Sequence, residues 1–271
     1  MAGGRLESAS IGPLGIPGDR GWALRDETAA EVRGAKKFPA LVQCAARYVE
    51  EPTETRIPAA EITLPDGSTV RSDRPEAAER LTRLVGRPVS VWRRRPPEDR
   101  EHYRRSLPED PAGLEGELRE MFGRTPDEPL PDLSVFPPEL MEFTSPLGTY
   151  FDAFPLHLIT TSWLGELRRR NPKADFDRRR FRPNLLIEPE GGEEGPIELG
   201  WAGKQLKIGS AAIRVTVPCA RCVMTTLEQP GLAKDPSVLR TVVRDSNQNV
   251  GVYADVVSSG TIRVGDPVEL L

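Results

Sequence analysis

The stretch Ala211-Ala-Ile-Arg-Val-Thr-Val-Pro-Cys-Ala-Arg-Cys-Val-Met-Thr-Thr226 sets the reading of the chain. Ile213 to Val217 is a β-branched run and reads as a strand. Pro218 has no amide hydrogen to donate, so it is expected to end that strand's pairing. Cys219 and Cys222 then flank Ala220-Arg221, and Val223-Met-Thr-Thr226 returns to residues that favour extended backbone. A thiol on a loop that a strand holds rigid is well placed for chemistry. Cys222 is the foremost candidate.

Two cysteines at this spacing admit four chemistries. Free cysteines often behave as small buried hydrophobes. A thioredoxin-like Cys-x-x-Cys is weak, because that motif opens a helix within a βαβ unit. Half of a zinc site would need a second half, and Cys44, His102 and His157 stand at no recognisable ligand spacing. The fourth is a single reactive thiolate, Cys222, ionised with the help of Arg221 beside it.

Composition narrows the rest. The chain has 271 residues, 38% hydrophobic and 29% charged, enough for one large domain or two closely packed ones. With 27 prolines and 24 glycines, it favours many turns and short strands over a helical bundle. A net charge of −4 predicts no general attraction to nucleic acid or anionic membrane. Three cysteines argue against a disulfide framework and for a reducing compartment, hence a cytoplasmic protein. No apolar run has the length of a membrane span, and the N-terminus has no signal-peptide core.

Outward from the cysteine loop, the elements follow in order. Leu6 to Ile11 is a first strand, and Gly15 to Leu24 a turn and then a strand. Ile62 to Val70 is a hairpin about Pro65-Asp-Gly67. A helix opens near Asp73 and Pro75 and ends at Gly86, and Val89 to Trp92 closes an N-terminal unit spanning 1–95. Residues 96–147 read as a solvated, partly helical linker with mixed charge. A second domain, 148–271, starts with a strand running to Ile159 and a helix capped by Thr160-Thr161. Arg182 and Asn184 alternate across Pro183, so both side chains can point one way, which suits an anion with hydrogen-bonding edges. Leu206 to Val217 is a hairpin, Asp235-Pro236 opens a helix, and Val250 to Val256 is a strand. The architecture expected is mainly β with peripheral helices, an α+β class, the second domain a closed or partly closed barrel.

Four ordered segments resemble the MOSC domain, named for the C-terminal domain of molybdenum cofactor sulfurase. They are Phe151-Asp-Ala-Phe-Pro-Leu156, Phe181-Arg-Pro-Asn184, Arg221-Cys-Val-Met-Thr-Thr226 and Gly260-Thr-Ile-Arg-Val-Gly-Asp-Pro267. Gly18-Asp-Arg-Gly-Trp22 and Ala35-Lys-Lys-Phe-Pro39 are similar to the β-barrel domain that precedes MOSC in the amidoxime-reducing enzymes and their bacterial relatives. The resemblance implies a pyruvate-kinase-barrel-like MOSC β-barrel after a smaller N-terminal β-barrel-like domain. It implies molybdenum bound through molybdopterin, with Cys222 as metal ligand and catalytic residue. Lys36, Asp152, Arg182, Asn184, Arg221 and Tyr253 would surround the organic part, and Cys219 would not bind metal. Lys36 would reach the cofactor phosphate, although a Lys-Lys pair is more commonly solvated. The family's first strand carries a Lys-Ser pair upstream of the point where this chain begins, so a clipped start is expected.

The function so implied is reduction of N-hydroxylated or other N–O or S–O compounds. The alternatives are a sulfur or cofactor carrier without turnover of its own, and a plain structural barrel. Three cysteines cannot supply a four-cysteine iron–sulfur cluster once one of them binds molybdenum, and no Gly-x-Gly-x-x-Gly turn is present. A separate small redox carrier is therefore expected as electron donor, docked on the arginine-rich 93–105 segment.

Overall fold

The computed structural model describes residues 1–271. In chain order the strands are β1 (Ser8–Ile11), β2 (Trp22–Asp26), β3 (Glu31–Arg33), β4 (Ala45–Tyr48), β5 (Ala60–Thr63), β6 (Thr69–Arg71), β7 (Val89–Arg93), β8 (Leu156–Thr160), β9 (Leu185–Ile187), β10 (Gln205–Ile208), β11 (Ala211–Ala220), β12 (Asn249–Ser258), β13 (Gly260–Arg263) and β14 (Val268–Leu270). The helices are α1 (Pro75–Val85), α2 (Arg100–Tyr103), α3 (Pro111–Phe122), α4 (Glu139–Glu142), α5 (Thr161–Arg170), α6 (Arg178–Phe181) and α7 (Pro236–Asp245). The chain is α+β with more strand than helix, and no helix is long and apolar enough to cross a membrane.

Two compact units emerge. The first comprises Met1–Arg5, Pro17–Glu117 and Leu133–Ala153. It holds two three-stranded sheets, β3-β2-β7 and β4-β5-β6. Helix α1 starts at a proline, whose missing amide hydrogen is no loss in the first turn, and buries Ala77 and Leu81. It stops at Gly86, which takes the left-handed conformation and donates its N–H to Thr82 O. The 96–147 stretch is not a solvated linker. Tyr103 and Phe143 are 0% and 1% exposed, and Tyr103 Oη donates to Arg95 O at 2.5 Å.

The second unit comprises Leu6–Ile16, Leu118–Asp132 and Phe154–Leu271. Its six-stranded sheet has the order β14-β10-β11-β12-β8-β9 and curls into a half-barrel, while β1 pairs with β13. Every residue of β8 is buried. Leu156 and Leu158 join a core with Ile213, Val215, Val252 and Ala254. Ile159, of opposite parity, joins Trp163, Leu167, Phe181, Val238 and Val242 beneath the helices. A strand buried on both faces is usually apolar throughout; here the two polar members, His157 and Thr160, are hydrogen-bonded instead. Each buried apolar side chain contributes roughly 1.5–3 kcal/mol of burial.

Two expectations about the central strands need correcting. Pro218 does not end pairing: β11 runs to Ala220 and Pro218 lies opposite Val252, beside a register shift after Val215. Irregular pairing there accommodates the missing donor. Val223–Thr226 is a 3-10 turn rather than extended chain. Thr225 N and Thr225 Oγ1 both donate to Cys222 O, at 3.2 and 3.1 Å, so side-chain hydrogen bonding overrides the β preference of these residues.

Where β8 passes into α5, Thr160 caps the helix by accepting from Trp163 N at 3.2 Å. Glu198, 0% exposed, accepts from Thr160 N at 2.8 Å and Thr160 Oγ1 at 2.6 Å. Burial pushes its carboxyl above the ordinary range, against the pull of those two bonds. A carboxyl raised in the folded state favours folding most below its unfolded pKa, about 4.3. That contribution is lost as pH climbs through the folded value. Glu198→Gln is therefore expected to compare worst with the parent protein near pH 4 and to gain on it at neutral pH, read as melting temperature at both; a gap that widens toward neutral pH would be the contrary result.

Candidate functional site

Cys222 sits at the point where β11 has ended and the 3-10 turn begins, with extended backbone at φ −120°. Cys222 is half-buried, whereas Cys44 and Cys219 are buried, and none of the three is in a disulfide. The loop around it is tied down through its carbonyls by three buried arginines. Arg180, 1% exposed, donates to Thr225 O at 3.5 Å, Leu227 O at 3.3 Å, Ala233 O at 2.8 Å and Asp175 O at 2.8 Å. Arg124 donates Nη2 to Arg221 O at 3.0 Å and Nε to Gln248 Oε1 at 3.0 Å. Burial draws the Arg124 guanidinium down to about 10.

Arg221 is the third. It is 7% exposed and donates Nη2 to Phe181 O at 2.7 Å. Its Nη1 lies 2.8 Å from Cys219 Sγ and 3.3 Å from His157 Nε2, and its Nε is buried without a partner. This corrects the sequence reading twice. The guanidinium bonds Cys219 rather than Cys222, and its terminal nitrogens are spent on protein, so it holds the loop instead of lining a ligand. Burial lowers its affinity for the proton, and Cys219, Tyr253 and Cys222 raise it; the second effect prevails.

The other expected residues gather around β8. Asn184 N donates to His157 O at 2.8 Å, and His157 N donates to Asn184 Oδ1 at 3.0 Å, so Asn184 pins the entry to β9 against β8. Arg182 is half-exposed and takes a left-handed conformation, φ 55° and ψ 50°. The simple alternation expected across Pro183 does not hold, because a positive φ turns the chain. Tyr253 pairs across the sheet with His157, its ring 5.7 Å from the imidazole and 5.2 Å from Phe154. Lys36 and Asp152 belong to the first unit, where Lys36 Nζ lies 2.8 Å from Asp152 Oδ1. The site described here is built from the second unit alone.

Residues 148–269 match the MOSC domain model. They form a MOSC domain. Mitochondrial amidoxime reducing component 2 of Rattus norvegicus is 31% identical over 132 residues, which are 44% of this chain and 37% of that protein. Mitochondrial amidoxime-reducing component 1 of Homo sapiens is 28% identical over 135 residues, 45% of this chain and 38% of the relative. The chain thus spans well under half the length of these relatives. Among solved structures, YiiM from Geobacillus stearothermophilus is similar at 17% identity and a TM-score of 0.34, over 44% of this chain and 54% of that one. The YUAD protein from Bacillus subtilis is similar at 15% and 0.37, over 44% and 65%.

Three residues that hold the cysteine loop escaped the sequence reading, Arg124, Arg180 and Gln248, and His157, set aside there as a metal ligand, is a fourth. Arg180 was hidden in the run Arg178-Arg-Arg180, in which charge density alone suggests solvent. Its signal was the following Phe181, which marks a helix face turned inward. His157 lies in an otherwise apolar strand, a position that implies burial.

Gly251 holds the floor of the site. It has φ +80°, and an added Cβ would strike Leu158 O and the His157 ring. The turn it makes also lets Val250 and Val252 serve different cores. Gly251→Ala is expected to cost more than about 1 kcal/mol, measured by chemical denaturation; an unchanged midpoint would mean that the sheet yields at no cost.

Proposed function

We propose that this chain is a molybdenum-cofactor-dependent reductase of N-hydroxylated or related N–O compounds, with Cys222 as the thiolate ligand of the metal. The observation that carries the reading is the contrast at the cysteine loop. Its backbone is clamped by buried arginines, while Cys222 stays half-buried at the head of the turn. A soft thiolate is the protein ligand suited to such a centre, and the backbone around it is held as a ligand site requires. The relatives are amidoxime reducing components, and their name supports this substrate class.

The donor set fits the organic part of the cofactor at three further positions. Arg182 offers a planar fork for a phosphate. Asn184 is fixed by its bond to His157, and Tyr253 presents a half-exposed ring beside it. Arg221 contributes by holding the loop that carries Cys222. The bound cofactor supplies the two-electron reduction of the N–O bond, and the chain supplies orientation and access.

Cys222→Ser tests the assignment. Removing a hydrogen-bond partner of a metal ligand costs up to roughly 100-fold in affinity or activity, so losing the ligand itself is expected to cost at least that. The readouts are molybdenum content of the purified protein and reduction of benzamidoxime by a chemical electron donor. Metal retained with turnover intact removes Cys222 from the centre. In the unsubstituted protein, metal retained without turnover marks a carrier instead.

Electrons come, on this reading, from a separate redox protein, because three cysteines cannot provide both the molybdenum ligand and a four-cysteine cluster. Purified chain supplied with NADH alone is expected to show no sustained turnover, and addition of a small redox carrier to restore it in a salt-sensitive way. Steady NADH-driven turnover by the single chain is the outcome that excludes this.

A further inference from the structure

We propose that Cys219 is a buried thiolate, the counter-ion of Arg221, and that this ion pair pins the loop carrying Cys222. A guanidinium stays charged at any pH a protein tolerates, and a buried charge is costly unless an opposite charge or a full set of hydrogen bonds offsets it. Arg221 has neither in full. Its Nε is buried and unpaired, and its bonds reach one carbonyl, one imidazole and one sulfur. No carboxylate pairs with it. The groups whose charge bears on it are Cys219, Tyr253 and Cys222. Of these, Cys219 alone touches the guanidinium, and it is 1% exposed.

The geometry favours the charged form of that sulfur. Arg221 Nη1 and Cys219 Sγ are in direct contact, 2.8 Å apart, so a charge on the sulfur would meet the guanidinium with no water between them. A neutral thiol is a weak acceptor and would offset little of the buried positive charge, whereas a thiolate offsets it directly. His157 completes the account. Its Nε2 is 3.2 Å from Val250 O and 3.3 Å from Arg221 Nη1. One nitrogen cannot donate to the carbonyl and accept from the guanidinium at once. When Nε2 carries its hydrogen to Val250 O it cannot accept from Nη1, and Cys219 Sγ is then the acceptor left beside that nitrogen. The titratable groups around the pair are His157 from β8, in contact with the guanidinium, and Tyr253 from β12 and Cys222, whose charges bear on it.

The pair closes a tight staple, from residue 219 to residue 221, while Arg221 Nη2 fastens the same point to Phe181 O, next to Arg182. The second cysteine thereby positions the first. That consequence rests on Cys222 being the metal ligand; the ion pair does not.

The test removes Cys222 so that no metal–thiolate signal intrudes. Full-length Cys222→Ser and the double variant Cys219→Ser/Cys222→Ser, both retaining Cys44, are taken from neutral to acid pH while thiolate ultraviolet absorbance is followed. A free thiol titrates near 8.5 and is under about 1% ionised at pH 6. The single variant is expected to hold one thiolate's absorbance at about pH 6 and to lose it on further acidification, including by acid unfolding, which protonates the sulfur. The double variant is expected to show no such loss. Absence of the band in the single variant, or its survival in the double, overturns the assignment. Independently, Cys219→Ala should lower the melting temperature, and Cys219→Ala/Arg221→Met should recover more than half of the drop, because the stranded charge has gone. No recovery would show that Cys219 is not the counter-ion.

Discussion

Everything around the cysteine loop depends on carbonyl groups that have no strand or helix to receive them. From Phe181 to Ala233 the chain makes several short turns, and buried backbone carbonyls left unpaired would each cost about 1–3 kcal/mol. Arginine side chains take them up. Arg180 serves Thr225 O, Leu227 O and Ala233 O, Arg124 serves Arg221 O, and Arg221 serves Phe181 O. The fork of a guanidinium reaches several acceptors from one rigid plane. Lysine, with three donors on a single rotating nitrogen, could not span carbonyls that lie on separate turns.

The clamp is anchored in turn by the half-barrel. β8 supplies His157 between Asn184 and Tyr253, and β12 supplies Gly251, whose positive φ lets the backbone of β12 lie against the imidazole. Residues 223–226 pack against α6 and α7, so the core under the helices is also the support of the loop. Sheet core, helix layer and loop are thus coupled in packing. A cavity opened at Val238 or Val242, both 0% exposed, would act on the position of Cys222 as well as on stability.

What could be read from the sequence was whatever local physics decides. The cap of α5 at Thr160, the proline starts of α1 and α7, the Gly86 stop and the continuous burial of β8 all follow from patterns within a few residues. The place of Cys222, just past the end of a long strand, was legible for the same reason. What was not legible depends on pairing across the chain. Pro218 stays in the sheet because the register shifts around it. The 96–147 stretch packs Tyr103 and Phe143 although its composition looks solvated. The inward arginines resemble solvated ones until their carbonyl partners, up to 97 residues away for Arg124 and Arg221, are placed beside them.

The same accounting explains why two adjacent residues of the motif have opposite characters. Arg221 faces inward and is bonded on several sides, so its charge is committed to the protein; Cys222 follows it and is half-exposed. Extended backbone sends successive side chains to opposite faces, and Cys222 with φ −120° and ψ −178° is extended. Burying the arginine therefore presents the thiol. A residue order that placed the arginine second would expose the cation and bury the sulfur. The sequence Cys-Ala-Arg-Cys spaces a buried sulfur and a buried cation so that they meet, and leaves Cys222, the last of the four, half-buried.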